Sequence, residues 1–303
     1  MGAEKKPFKT EKENNGDSVQ ITRDYLDSLL LEMRLIDSDL PALDYELFGY
    51  VFASPVMTAA LSHLNKTHPG GMTELARGAE AANAVMWAGM GDESELESIV
   101  ATGAKTIKII KPYADENLIM RKIEHAEKCG AIAVGMDLDH AFSRKGGYNN
   151  VLGYEMRPKT QVDLRRYVRS TGLPFIIKGV LSAQDAEKCL EADISGIVVS
   201  HHHGILSYAV PPLMVLPEIV EVIQGQIPIF VDCAIESGYD VFKALALGAN
   251  AVSVGRALMG PLGAEGAAGV KKAIEEINAE LAFVMAMTGT ADYSSIDPDV
   301  VWS

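Results

Sequence analysis

The run Val199-Ser200-His201-His202-His203-Gly204-Ile205, read with Pro174-Phe175-Ile176-Ile177-Lys178-Gly179 upstream of it, decides the architecture of this 303-residue chain. Each run begins in a short apolar, β-branched segment, the pattern of a buried parallel strand. Each ends in ionisable side chains, where a strand would emerge at one rim of a barrel. In (β/α)8 barrels the chemistry sits on that C-terminal rim. A lysine ending one strand and histidines ending the next are therefore a catalytic layout. The mid-chain position and the preceding Gly196-Ile197-Val198-Val199 argue against a tag remnant or a solvated loop.

Outward from these runs, the same unit repeats on both sides. Short apolar strands are expected at 52–57, 84–88, 106–110, 132–136, 175–178, 196–200, 229–232 and 251–254. Amphipathic helices are expected at 73–82, 93–101, 116–128, 161–170, 183–192, 213–223, 239–247 and 271–287. Glycine at junctions such as Cys129-Gly130-Ala131 and Leu247-Gly248-Ala249 ends a helix in a left-handed cap. Eight strands alternating with eight helices, with no long break, predict an α/β fold, one closed (β/α)8 TIM barrel over 18–303. A short N-terminal helical extension over 21–36 would precede it, then an irregular stretch over 37–50 wrapping the barrel floor. Residues 1–17 are polar and charged and read as a loosely held tail without the apolar core of a signal peptide.

Composition narrows the function. A net charge of −14 argues against nucleic acid or an anionic membrane as main partner. No apolar run reaches membrane-span length. Cys129, Cys189 and Cys233 are odd in number and scattered, so a structural zinc motif is not expected and a reducing cytoplasm fits.

The ionisable residues at expected strand ends are Lys108, Asp137, Lys178, His201 to His203, Asp232 and, after the last strand, Gly255-Arg256. Glycine and arginine opening the loop before the last helix suit a phosphate. A rim histidine near an aspartate suits a general base. A lysine inside a barrel needs an anionic or electron-rich partner. A phosphorylated cofactor would satisfy all three. Side-chain alternation keeps three consecutive histidines from converging on one ion, so no metal site is assigned.

The segments Pro174 to Ala186, Gly196 to His202, and Ile229-Phe-Val-Asp232 through Ser237-Gly238-Tyr-Asp240 to Val254-Gly255-Arg256 resemble the FMN-dependent α-hydroxy acid dehydrogenase/oxidase family. The likeness runs from about Arg34 to Gly289, most of the chain, with a shortened N-terminal portion. It implies an oxidoreductase that passes a hydride from a small hydroxylated substrate, such as a 2-hydroxy acid, to flavin N5. It further implies His202 as catalytic base, Asp137 as its orienting carboxylate, and Lys178 at the flavin N1/O2 edge. Ser200, Asp232, Gly255, Arg256 and Met57 are expected at the cofactor and Arg144 near the substrate, with Lys108 and His203 as further expected substrate contacts that would compensate for a missing family arginine. A homo-oligomer, a tetramer by the same resemblance, is expected.

Departures from the family pattern qualify this. Asn-His-Gly-Gly-Arg becomes His201-His202-His203-Gly204-Ile205, so the arginine that clamps a substrate carboxylate is replaced by Ile205. The strand-three glutamine and tyrosine read as Lys108 and Ile110. The Asp-Gly-Gly-x-Arg phosphate motif reads Asp232-Cys233-Ala234-Ile235-Glu236. A flavin-dependent isomerase of the isopentenyl diphosphate isomerase type stays open as an alternative. So do a non-catalytic barrel binding a phosphorylated ligand and a metal-dependent lyase.

Overall fold

The computed structural model describes residues 15–302. Its organising element is an eight-stranded parallel sheet: β1 (Val56–Thr58), β2 (Met86–Ala88), β3 (Thr106–Ile110), β4 (Ala133–Asp137), β5 (Phe175–Val180), β6 (Gly196–Val199), β7 (Ile229–Val231) and β8 (Ala251–Val254). Neighbours follow chain order from β2 to β8, and β8 pairs with β1. Backbone bonds from Thr58 to Val85 (3.0 Å) and from Gly89 to Leu61 (2.8 Å) join β1 to β2 and close the barrel. The expected (β/α)8 barrel is present.

Nine helices are described: α1 (Ser18–Ser28), α2 (Gly71–Ala81), α3 (Glu93–Val100), α4 (Glu116–Cys129), α5 (Gln161–Val168), α6 (Ala183–Glu191), α7 (Pro212–Ile223), α8 (Gly238–Ala246) and α9 (Arg256–Met287). Side chains of Asp92, Asp115, Thr160, Ser182 and Ser237 cap five of them by accepting first-turn backbone N–H groups. Two cores result. Met57, Trp87, Ile107, Ile109, Ile176, Val198 and Phe230 fill the barrel, and Leu47 and Phe52 belong to the same cluster. The hairpin of Tyr45–Leu47 and Tyr50–Phe52, which carries those two residues, plugs the floor. The larger cluster lies between the sheet and the helices.

Three expectations change. The leading helix ends at Ser28 rather than residue 36, because Leu30–Leu31 turn extended and pair antiparallel with Val301–Trp302. That helix also lies against the rim: Thr22 meets His201, Arg23 forks onto Asp240, and Lys243 donates to the Leu26 carbonyl at 2.7 Å. The last helix begins at Arg256 rather than 271 and is broken at Gly266, whose φ of 58° and ψ of −136° separate a short segment behind β8 from the long one. For residues 1–14 the expected tail lies outside the described residues. Asp17, expected in that tail, caps α1.

Candidate active site

Side-chain alternation sets which strand-end residues enter the barrel mouth. On β3, Ile107 and Ile109 face the interior and Ile110 the helical layer. Lys111 follows the inward set and Lys108 the outward one. Lys108 thus does not reach the mouth. It is buried behind the sheet, donates to the Gly89 carbonyl, and is pulled down to about 8 by burial, with Lys122 adding repulsion. The expected placement of Lys108 by substrate is corrected by a one-residue slip of register, and Lys111 is the cation that points inward.

Asp137 ends β4 facing inward, fully enclosed. Its Oδ2 receives Lys111 Nζ at 2.6 Å, and its Oδ1 lies 4.0 Å from Lys178 Nζ and 3.5 Å from His202 Nδ1. Burial alone would raise its pKa, but Lys111, His202 and Lys178 outweigh that and hold it below the ordinary carboxylate range. Lys178, on β5, bonds Asp232 Oδ2 at 2.8 Å and Ser200 Oγ at 2.9 Å. Burial pulls its ammonium down, yet Asp232, Asp137 and Asp139 together push it up, so it stays charged.

The carboxylate nearest to His202 is Asp139, not Asp137. His202 Nδ1 stands 3.0 Å from Asp139 Oδ1 and 3.1 Å from Oδ2. Gly179 makes room for it: its φ is +93°, and a Cβ there would lie 2.6 Å from Asp139 Oδ2. The β5–β6 register shifts at this point, a bulge that turns the strand end. His202 Nε2 faces His140 Nε2 at 3.2 Å, the rings perpendicular with centroids 4.3 Å apart. His140 is pulled down to about 4, chiefly by burial and then by Lys111 and His202. Lys111, Asp139 and His140 were not singled out from sequence as site residues.

The three histidines part ways because His202, His203 and Gly204 are all left-handed (φ 48°, 55° and 79°). His201 is buried and structural. Its Nδ1 accepts from Gly204 N at 2.9 Å, which puts the proton on Nε2 for Thr22 Oγ1 at 2.7 Å. His203 turns towards Arg256, and burial followed by that guanidinium lowers its pKa. Arg144 is exposed, donating to the carbonyls of Gly204 and Ile205 (Nε to Ile205 O, 3.0 Å). It lines a shallow recess with Asp17, His203 and Ser207.

Beside this cluster lies a cleft of about 990 Å³, its open mouth included, walled by Ala59–Ser62 after β1, Lys178, His202, His203, Asp232 to Glu236, Ser253 and Gly255 to Ala257. Met57 is not on its wall. It is buried inside the barrel, its sulfur accepting from Trp87 Nε1 at 3.4 Å, and its expected cofactor contact is corrected to the residues just beyond it. Ser200 is likewise enclosed, anchoring Lys178 and, at 3.0 Å, the His202 N–H. The cleft suits a flavin mononucleotide. Ala59, Ala60 and Leu61 offer an apolar wall, Lys178 a cation for an electron-rich edge, and the α9 N-terminus with Arg256 a phosphate seat. Cys233 and Ala234 keep φ at 75° and 57°, left-handed values that glycine would hold without strain, so the loop keeps a glycine-type backbone. Glu236, at the same end, opposes an anion.

Asp137, His140 and His202 are close enough to share a cation. The Lys111 ammonium already occupies Asp137, so the cluster reads as proton-handling machinery.

The sequence model of the FMN-dependent dehydrogenase family matches residues 6–164 and 149–303. A peroxisomal (S)-2-hydroxyacid oxidase of Arabidopsis thaliana is 31% identical over 84% of this chain and 79% of its own length. Glycolate oxidase of Spinacia oleracea is 30% identical over 86% and 81%. The crystal structure of mandelate oxidase superposes with a TM-score of 0.85 at 27% identity, covering 95% of this chain and 90% of that one. A barrel whose rim gathers lysine, carboxylate and histidine beside an open cleft fits the class of flavin-dependent oxidoreductases. The chain belongs to the FMN-dependent dehydrogenase family, with FMN as cofactor. These comparisons do not favour the isomerase or the non-catalytic alternative.

Proposed function

We propose that this enzyme oxidises a small α-hydroxy acid to the keto acid with His202 as the base. The observation that carries the proposal is the His202 ring, hydrogen-bonded through Nδ1 to Asp139, in contact with His140 through Nε2, and lining the cleft together with Lys178. With Nδ1 protonated towards the carboxylate, Nε2 keeps a lone pair. The substrate hydroxyl takes the place of the His140 N–H there and gives its proton to Nε2. Formally, Asp137, Asp139 and Asp232 against Lys111 and Lys178 leave one negative charge in excess. An imidazolium at His202 neutralises it. FMN supplies the two-electron acceptor. Lys178 would hold its electron-rich edge, Arg256 and the α9 N-terminus its phosphate, and Asp232 would fix Lys178.

Arg144 is the substrate-carboxylate partner in this proposal. The carbonyls of Gly204 and Ile205 hold it, and in this proposal it would turn from the recess to the mouth. His203 borders both the recess and the cleft and assists as a polar contact. Residues 18–303 act as one domain.

The enzyme is further proposed to be a cytoplasmic homo-oligomer, a tetramer in form. The exposed run Leu30, Met33, Leu35, Ile36 and Leu40 beside Trp302 supports association. Three free thiols support a reducing compartment. No helix among the described residues is long and apolar enough to cross a membrane, whereas the named Arabidopsis relative is peroxisomal.

The test is anaerobic mixing of the yellow holoprotein with a panel of α-hydroxy acids. Bleaching of the flavin by at least one acid, with the keto acid recovered in equal amount, is expected. A flavin that no acid in the panel bleaches overturns the proposal.

A further inference from the structure

On the outer layer of the barrel, α3 and α4 bring together three metal-ligating side chains. His125 and Cys129 are four residues apart on α4, so they share one face one turn apart. Glu97 reaches them from α3. His125 Nε2 is 3.2 Å from Glu97 Oε1 and 3.2 Å from Cys129 Sγ. All three ligand atoms lie within 4.8 Å of one another.

Proton bookkeeping fits this convergence poorly. A protonated Nε2 can donate squarely to the carboxylate or to the sulfur, and an unprotonated one accepts from the thiol but repels the carboxylate. A cation between the three atoms satisfies all of them at once. Around tetrahedral zinc, bond lengths put nitrogen and oxygen ligands about 3.4 Å apart, and nitrogen and sulfur about 3.5 Å apart. The 3.2 Å separations are close to these values, but Sγ also lies 3.8 Å from Nδ1, off the line of the Nε2 lone pair, so ligation requires the His125 ring and the Cys129 side chain to turn. The His125 ring is mostly covered while Glu97 is largely exposed, which gives the ion an approach from solvent.

We propose that Glu97, His125 and Cys129 form a zinc site that clamps α3 to α4, with water completing the fourth position. A thiolate, an imidazole and a carboxylate select a borderline divalent ion over calcium or magnesium. On binding, the Cys129 thiol gives its proton to solvent and the thiolate ligates the ion, with no change of oxidation state. The site shares no residue with the flavin cleft, and it stands or falls independently of the hydroxy acid reaction.

The test is calorimetric titration of chelator-treated holoenzyme with Zn²⁺, for the natural protein, Cys129→Ser and the surface variant Glu97→Gln. One saturable equivalent is expected in the natural protein. Removing a ligand outright weakens it at least about 100-fold in Cys129→Ser, since even outer partners of a metal site are worth up to that much. Glu97→Gln, which does not threaten folding, weakens it about tenfold on the same scale. Zn²⁺ should also protect Cys129 from thiol reagents in equal stoichiometry while flavin content is unchanged. No saturable binding overturns the proposal. So does a Zn²⁺ equivalent that binds Cys129→Ser as tightly as the natural protein, which would put the ion elsewhere, as at Asp137, His140 and His202.

Discussion

The Nε2 atoms of His140 and His202 lie 3.2 Å apart, and that contact fixes where protons can rest in the candidate active site. His202 donates through Nδ1 to Asp139, so its Nε2 must accept from the Nε2–H of His140. This leaves His140 Nδ1 buried without a hydrogen-bond partner among the described residues. Protonating His202 would force the His140 proton onto Nδ1, where no acceptor waits. Around the pair stand Asp137, Asp139, Lys111, Lys178 and His203.

His140 therefore fixes the orientation of the His202 ring. In His140→Phe, kcat/KM should fall about tenfold, the worth of one hydrogen bond. An unchanged kcat/KM contradicts this. The same histidine affects stability. Its folded pKa of about 4 lies below the ordinary 6.5, so the stability it contributes is whole above pH 6.5 and is lost as pH falls towards 4. Denaturant melts of His140→Phe across that window should show a shallower acid loss.

Lys108 predicts the opposite use of a buried cation. It is enclosed behind the sheet with one backbone carbonyl as partner, and burial holds it near 8. Its penalty is largest below pH 8 and vanishes as pH passes 10.5. Lys108→Met should stabilise the protein at pH 7 by about 1–2 kcal/mol, the gain shrinking at alkaline pH, as measured by urea unfolding. Destabilisation at pH 7 would return Lys108 to a functional role.

Those two residues show what could be read in advance. The eight-fold repeat was legible because seven of the eight strands are short apolar runs closed by ionisable or glycine residues. The inward direction of β3 was not: all five residues of Thr106–Ile110 are buried, so neither face declares itself. The register slipped by one, and Lys111 was missed. Asp139 and His140 lie where a strand becomes a loop and periodicity stops. Their one sequence signal is that Asp139 shares parity with Asp137. The separation of His201 from His202 depends on consecutive left-handed residues that no histidine triplet announces.

At the phosphate end, Glu236 opposes an anion while Arg256 and the α9 N-terminus attract one. Glu236→Arg should tighten FMN binding about tenfold, the worth of one charge-assisted hydrogen bond, measured by flavin fluorescence quenching. Unchanged affinity would place the phosphate away from Glu236.

Arg144 is held by the carbonyls of Gly204 and Ile205 and is assigned to bind rather than react. Arg144→Met should raise KM about tenfold or more with kcat nearly unchanged, since uniform binding is lost. A fall in kcat at constant KM would contradict that assignment.

The central claim is that His202 takes the substrate proton, and anaerobic single-turnover flavin bleaching by a hydroxy acid tests it most directly. His202→Ala should retain its yellow cofactor yet bleach about 100- to 10,000-fold more slowly than the natural enzyme. Bleaching at the natural rate in a variant that binds FMN normally would contradict the account.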